Sequence, residues 1–161
     1  RIKRKEYALA VVDAQSAFES LVAVILLRAL QDDGMPEADA IKSMAWKGKH
    51  HNLKRRLETL DKSAKAEAAT SGSAYARFED SKAYTEWKDG LYDLRNQVVH
   101  AGRREVSFDE AKRALVAGLN AIYAIQALAP SFNRPMIWEP PLTDMAHLKE
   151  TAGRLFRIFE T

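Results

Sequence analysis

Apolar residues recur at helical spacing along most of the chain. In the first stretch they fall at positions 11, 14, 18, 21, 22, 25, 26 and 29, which predicts a long helix from about Tyr7 to Leu30. Asp32-Asp33-Gly34 ends this helix, and Pro36 can begin the next one. A second helical region is expected from about 37 to 69. Gly48 and residues 50–52 mark the place where it can break in two.

Two further helices follow a turn at residues 70–73. The third is expected from about 81 to 100 and ends at Ala101-Gly102, with glycine in a usual capping position. Ser107-Phe-Asp-Glu110 matches a capping box, which predicts the start of a fourth helix that runs to about 128. The apolar positions at steps of three and four are Tyr84, Trp87, Leu91, Leu94 and Val98 in the third helix, and Leu115, Leu119, Ile122 and Ile125 on one side of the fourth.

These patterns predict an all-α fold, because no segment shows the sustained alternation of a β-strand. We expect an up-down bundle of four to five helices over residues 1–128. The segment 129–142 contains four of the five prolines and is expected to cross the bundle in an extended form. Thr143 can cap an additional C-terminal helix, 144–159, and we expect 129–161 to pack on the same domain.

Composition narrows the class of protein. The chain has 161 residues and no cysteine, which excludes a disulfide scaffold and a thiol nucleophile. The longest purely apolar run, Leu21–Leu27, is far shorter than a bilayer span of about 20 residues, and the charged start does not resemble a signal peptide. We therefore expect a cytoplasmic protein with no membrane partner. Because the chain opens with Arg1, it is interpreted as a processed form or a piece of a longer protein.

The net charge of +3 is unevenly distributed. Between positions 42 and 56 there is no acidic residue, and a stripe of this kind is typical of a surface that binds a polyanion. A solvated helix face is the alternative interpretation. The residues predicted to contact RNA are Lys49, Lys54, Arg55 and Arg56 from this stretch, together with Arg103.

The stretch most indicative of chemistry is Arg95-Asn-Gln-Val-Val-His100. Asn96 and His100 are four residues apart, so they share one helix face, and Arg95 neighbours it. Histidine can accept or donate a proton near neutral pH, arginine can hold a phosphate, and asparagine can orient either group. This set suits phosphodiester cleavage. The alternative is a capping role, because Arg and His near a helix C-terminus also interact favourably with the helix dipole.

The same stretch resembles the HEPN family (higher eukaryotes and prokaryotes nucleotide-binding). The signature of that family is Arg, a polar residue that is often Asn, three or more further residues, and His near the end of the third main helix. The end of the third helix at Ala101-Gly102 and the start of the next helix at Ser107 also resemble this family. Residues 14–19 resemble the family's opening segment. The order of the helices is similar over most of 7–128, and the detailed likeness lies at 91–113.

The resemblance implies a four- or five-helix bundle that forms a homodimer through its motif helices. It also implies metal-independent endoribonuclease activity that leaves 2′,3′-cyclic phosphate and 5′-hydroxyl ends, with Arg95, Asn96 and His100 as catalytic residues and no cofactor or metal. The substrate would be RNA, such as tRNA or mRNA, and the role that of a toxin, a phage-defence effector or a module of a larger protein. An antitoxin or companion domain would be a further partner. Gly102 stands where many toxins paired with a nucleotidyltransferase antitoxin have Tyr, which argues against that pairing.

Other functions remain open at this point. A non-catalytic HEPN-like module would use the same groove to bind RNA, a nucleotide or a partner, and an inert helical interaction domain would use neither Arg95 nor His100. Trp46 and Tyr92 are candidates for stacking on bases, whereas Trp87 lies in an apolar stripe and is expected in the core. The adjacent residues His50 and His51 lack the spacing of a metal site.

Overall fold

The fold is all-α, as predicted. The computed structural model describes residues 2–46, 49–50, 52–103 and 105–133, with side chains over 6–44, 52–103 and 105–132. A π-helical turn, Lys88–Tyr92, joins two helices so that residues 82–99 form one continuous helix, called the motif helix below. The α-helices are α1 (Ile2–Asp32), α2 (Glu37–Ser43), α3 (Leu53–Ser71), α4 (Lys82–Trp87), α5 (Asp93–Val99) and α6 (Phe108–Gln126).

The second helical region breaks where the sequence indicated. Between α2 and α3 lies a small antiparallel pair of strands, β1 (Ala45–Trp46) and β2 (Lys49–His50). Strands of two residues are too short to show alternation in the sequence, and they leave the all-α class unchanged. Asn52 then begins α3, and its side-chain Oδ1 accepts a hydrogen bond from the Arg55 backbone N–H at 3.0 Å.

Helix α1 lies at the centre of the packing, in contact with α3, α5 and α6. Val11, Phe18, Val22 and Leu26 along it are buried. Among the described residues, the part of α1 from 6 to 32 is long and apolar enough to cross a membrane by length and composition alone. Core helices of soluble proteins and signal sequences have the same properties, so this finding leaves the expected cytoplasmic location a prediction.

Helix α6 packs through its small residues. Ala114, Ala121 and Ile125 are fully buried, and a Cβ atom added at Gly118 would lie 2.8 Å from Cδ2 of the buried Leu91. The motif helix therefore approaches α6 too closely for larger side chains at that level. Of the four apolar residues predicted on one side of α6, Ile122 and Ile125 are buried, whereas Leu115 and Leu119 are about half exposed.

A buried carboxylate fixes the segment that leads into the motif helix. Asp61 on α3 accepts a hydrogen bond from the Phe78 backbone N–H at 3.1 Å, and both residues are buried. Burial raises the pKa of Tyr75 to about 12, with a further contribution from the nearby Asp61 carboxylate. Ser81 then caps the helix by accepting from the Tyr84 backbone N–H. These contacts set where the motif helix starts relative to α3.

The beginning of the Pro-rich segment packs on the helices and forms a short 3-10 helix, Pro130–Asn133, where an extended form was expected. Ala129 and Phe132 are buried, and Ser131 donates to the Glu67 carboxylate of α3 through both its backbone N–H and its hydroxyl. The expected C-terminal helix, 144–159, lies outside the described residues. The up-down order of the bundle and the assignment of 129–161 to the same domain stay predictions.

Candidate active site

The end of the motif helix presents His100 at the surface. The His100 backbone N–H still donates to the Asn96 carbonyl at 2.9 Å, so the residue is held by the last helical turn. Gly102 follows in the left-handed conformation, with φ of 67°, which is strained for any residue with a side chain. The Arg103 backbone N–H then donates to the Gln97 carbonyl at 3.0 Å. The predicted end of the helix is therefore confirmed, and it fixes the position of the His100 imidazole at this end.

The three candidate residues meet at the helix end, where the Arg95 side chain contacts both Asn96 and His100. The Arg95 Nη1 donates to the Asn96 Oδ1 at 3.1 Å and lies 3.3 Å from the His100 Nε2. Arg95 and Asn96 are half-buried and His100 is exposed. Asn96 therefore positions the guanidinium rather than the imidazole.

The contact with Arg95 bears on the tautomer of the His100 ring. A guanidinium can only donate hydrogen bonds, so a hydrogen bond between the two groups requires the His100 Nε2 to accept and the ring proton to be on Nδ1. Among the described residues, the Nε and Nη2 groups of Arg95 make no hydrogen bond, which leaves them able to bind a phosphate oxygen.

Arg103 connects the motif helix with α6. Its Nη1 donates to the Gln97 Oε1 at 2.7 Å, its Nη2 forms an ion pair with Glu110 at 2.6 Å, and its Nε donates to the Glu105 carbonyl at 3.1 Å. The structure thus engages Arg103 in holding the loop after His100. Its predicted contact with RNA remains untested.

Glu110 is the centre of this connection. Its carboxylate completes the capping box with Ser107, which confirms the predicted start of α6, and it also binds Arg103. The hydrogen bond from the Ser107 backbone N–H, together with that from Arg103, lowers the pKa of Glu110 from its ordinary 4.5 to about 2.

We expect Glu110→Gln to destabilise the fold by about 1–2 kcal/mol at neutral pH. The folded pKa of Glu110 is lowered, so its contribution is complete above pH 4.5 and disappears as the pH falls toward 2. Urea unfolding of both proteins at several pH values between 7 and 3 measures this. The difference in unfolding free energy should shrink with acidification. A difference independent of pH would show that the Glu110 charge does not contribute.

The consecutive basic residues of α3 point in different directions, because successive helical residues differ by about 100°. Lys54 lines a groove beside the motif helix, Arg55 is exposed on another side, and Arg56 is half-buried. Lys49 lies in β2, and its side chain is outside the described set. The structure therefore brings Lys54 toward the motif helix, and among the described side chains it directs Arg55 and Arg56 elsewhere.

The π-helical turn, Lys88–Tyr92, runs directly into α5 and was not predicted from the sequence. It contains Gly90, whose added Cβ atom would lie 3.4 Å from the Ala117 Cβ, so the turn packs against α6. Turns of this kind are frequently found at functional sites. Among the described residues, no three His, Asp or Glu side chains come together as a metal ion would require.

No protein-family model, no curated protein and no solved structure matches the chain. The resemblance to the HEPN family therefore stays a prediction from the sequence motif at Arg95–His100.

Proposed function

We propose that this protein is a metal-independent endoribonuclease of the HEPN type. The observation that carries the proposal is the contact of Arg95 with both Asn96 and His100 at an exposed helix end. A phosphate binder and an imidazole are thus side by side, as cleavage at a ribose 2′-hydroxyl requires.

The reaction follows from the chemistry of these groups. When a phosphate of RNA binds Arg95, the guanidinium releases the His100 Nε2, and this nitrogen accepts the proton of the 2′-hydroxyl. The 2′-oxygen attacks the adjacent phosphorus, the bond from phosphorus to the 5′-oxygen breaks, and an acid supplies a proton to the leaving oxygen. The products are a 2′,3′-cyclic phosphate and a 5′-hydroxyl.

The acid is assigned to a second copy of the chain. Two proton transfers need two acid–base groups, and among the residues whose side chains are described, His100 is the sole histidine. In a homodimer whose two sites face each other, one His100 serves as the base and the other as the acid. The exposed apolar side chains of α6 can contribute to the pairing: Leu115, Val116, Leu119 and Tyr123. Sedimentation velocity measures the oligomeric state, and a monomer that cleaves RNA would contradict the composite site.

The test of the proposal is cleavage of a panel of single-stranded RNAs with excess EDTA present. We expect the RNAs to be cut and DNA of the same sequences to stay intact, because deoxyribose lacks the attacking hydroxyl. Cleavage that stops with EDTA, or that extends to DNA, would contradict the proposed chemistry.

A non-catalytic RNA-binding module is the second candidate. The contact of the Arg95 guanidinium with the His100 Nε2 favours this function. As long as no phosphate is bound, the guanidinium blocks the nitrogen that would act as the base. Salt-sensitive RNA binding without any product from the panel would support this function instead.

A further inference from the structure

A groove with a volume of about 330 Å³ lies between the beginning of α3 and the motif helix. Lys54 lines it on the α3 side, and Trp87, Lys88 and Tyr92 line it on the other. Its volume is at the lower end of the range for small-molecule sites, about 300–1,000 Å³, and suits one nucleotide better than a duplex.

The charge of this groove favours an anion. The ammonium groups of Lys54 and Lys88 make no ion pair among the described residues. Glu79 also lines the groove, but its carboxylate is paired with Arg77 at 2.5 Å. The two lysines therefore leave a net positive charge, which attracts the phosphates of a nucleic acid.

Tyr92 gives the groove an exposed aromatic surface. The ring is 36% exposed, and its centroid lies 5.4 Å from that of the buried Trp87, so packing fixes its position. Tyr92 also precedes Arg95 by three residues, which places the two on neighbouring parts of one helix face. A ligand on Tyr92 would thus lie next to the candidate active site.

We propose that this groove binds one unpaired nucleotide of single-stranded RNA, adjacent to the phosphate that is cut. Tyr92 stacks on the base, and Lys54 and Lys88 contact the flanking phosphates. The inference rests on the proposed function, because Arg95 and His100 define the position of the cut. It adds a subsite that selects unpaired RNA.

A larger cavity of about 770 Å³ between the motif helix and α6 does not share these properties. Two acidic and two basic residues line it, Glu86 and Asp109 with Lys112 and Arg113. These charges compensate each other, so this cavity has no preference for a polyanion.

The test measures binding separately from cleavage, in the His100→Ala background, with a short fluorescent adenylate RNA and with inorganic polyphosphate as a base-free polyanion. We expect Tyr92→Ala to raise the Kd for the RNA by about 10- to 100-fold, because base stacking is lost. Tyr92→Phe keeps the stacking surface and should keep the affinity. Neither change should affect polyphosphate.

The double variant Lys54→Gln, Lys88→Gln tests the phosphate contacts. We expect it to weaken binding of both probes and to reduce the slope of log K against log salt by about 1.4 for single-stranded RNA. Lys62→Gln is the matched control, because this lysine is on the same helix, is exposed and does not line the groove. The proposal is overturned if Tyr92→Ala binds RNA as tightly as its parent, or if Lys62→Gln weakens binding as much as the double variant.

The experiments distinguish a wrong assignment of the groove from a wrong assignment of nuclease activity. If the unmodified protein cuts RNA in EDTA and Tyr92→Ala leaves the Kd unchanged, the groove assignment is wrong and the nuclease stands. If no RNA is cut and Tyr92→Ala weakens RNA but not polyphosphate binding, the groove stands as the site of a binding module.

Discussion

Replacing His100 with alanine is expected to lower the rate of RNA cleavage by about 10²- to 10⁴-fold, the usual contribution of a general acid–base group. The loss should be at the upper end of this range, because each homodimer would lose both its base and its acid. The imidazole is exposed and its polar contact is with the Arg95 side chain, so its removal should leave the fold intact.

Two controls separate a chemical role of His100 from a structural one. Circular dichroism and urea unfolding should match the unmodified protein, and the Kd for RNA should change little. Arg95→Ala is the contrasting variant, because loss of the phosphate binder should weaken both binding and rate. A folded His100→Ala protein that cuts RNA at the unmodified rate would disprove the role assigned to the imidazole.

Trp87→Ala is expected to destabilise the protein by about 3–5 kcal/mol, which is a large share of a typical stability of about 5–15 kcal/mol. Trp87 is buried, stacks on Phe18 with ring centroids 4.8 Å apart, and contacts Tyr84 and Tyr92. Its Nε1 donates to the Oε1 of the buried Gln15 at 3.2 Å, so the variant also leaves a buried acceptor without its partner.

Urea unfolding followed by circular dichroism measures this effect, with all variants at one protein concentration because dimerisation would shift the midpoint. Trp87→Phe is the matched control. It retains an aromatic ring against Phe18 but loses the hydrogen bond to Gln15, and should lose about 1–3 kcal/mol. Equal midpoints for Trp87→Ala and the unmodified protein would show that this ring does not support the core.

The helices were predictable where local chemistry determines them. The Ser107 capping box and the stop at Gly102 are short-range signals, and both appear in the structure. The face that α6 buries was less predictable, since helical periodicity does not distinguish an apolar face in the core from one available to a partner. The small residues around Gly118 decide it, because they allow the motif helix to come close.

The candidate site was likewise predictable in part, where residues close in sequence form it. The sequence places Arg95, Asn96 and His100 together at one helix end, but it does not predict which of them touch; in the structure Arg95 contacts His100, five residues later. The bridge of Arg103 to Gln97 and Glu110 depends on how a loop folds back between two helices, which periodicity does not report. The groove beside Tyr92 depends on contacts between α3 and the motif helix, distant in sequence and set in part by Asp61 and Phe78.

The most direct test of the central claim is to determine the chemical ends of RNA fragments made in excess EDTA, by mass spectrometry, for the unmodified protein and for His100→Ala. If Arg95 and His100 cleave RNA as proposed, the unmodified protein alone will produce 2′,3′-cyclic phosphate and 5′-hydroxyl ends. Fragments with 5′-phosphate and 3′-hydroxyl ends, or cyclic phosphate ends made equally by His100→Ala, would contradict it.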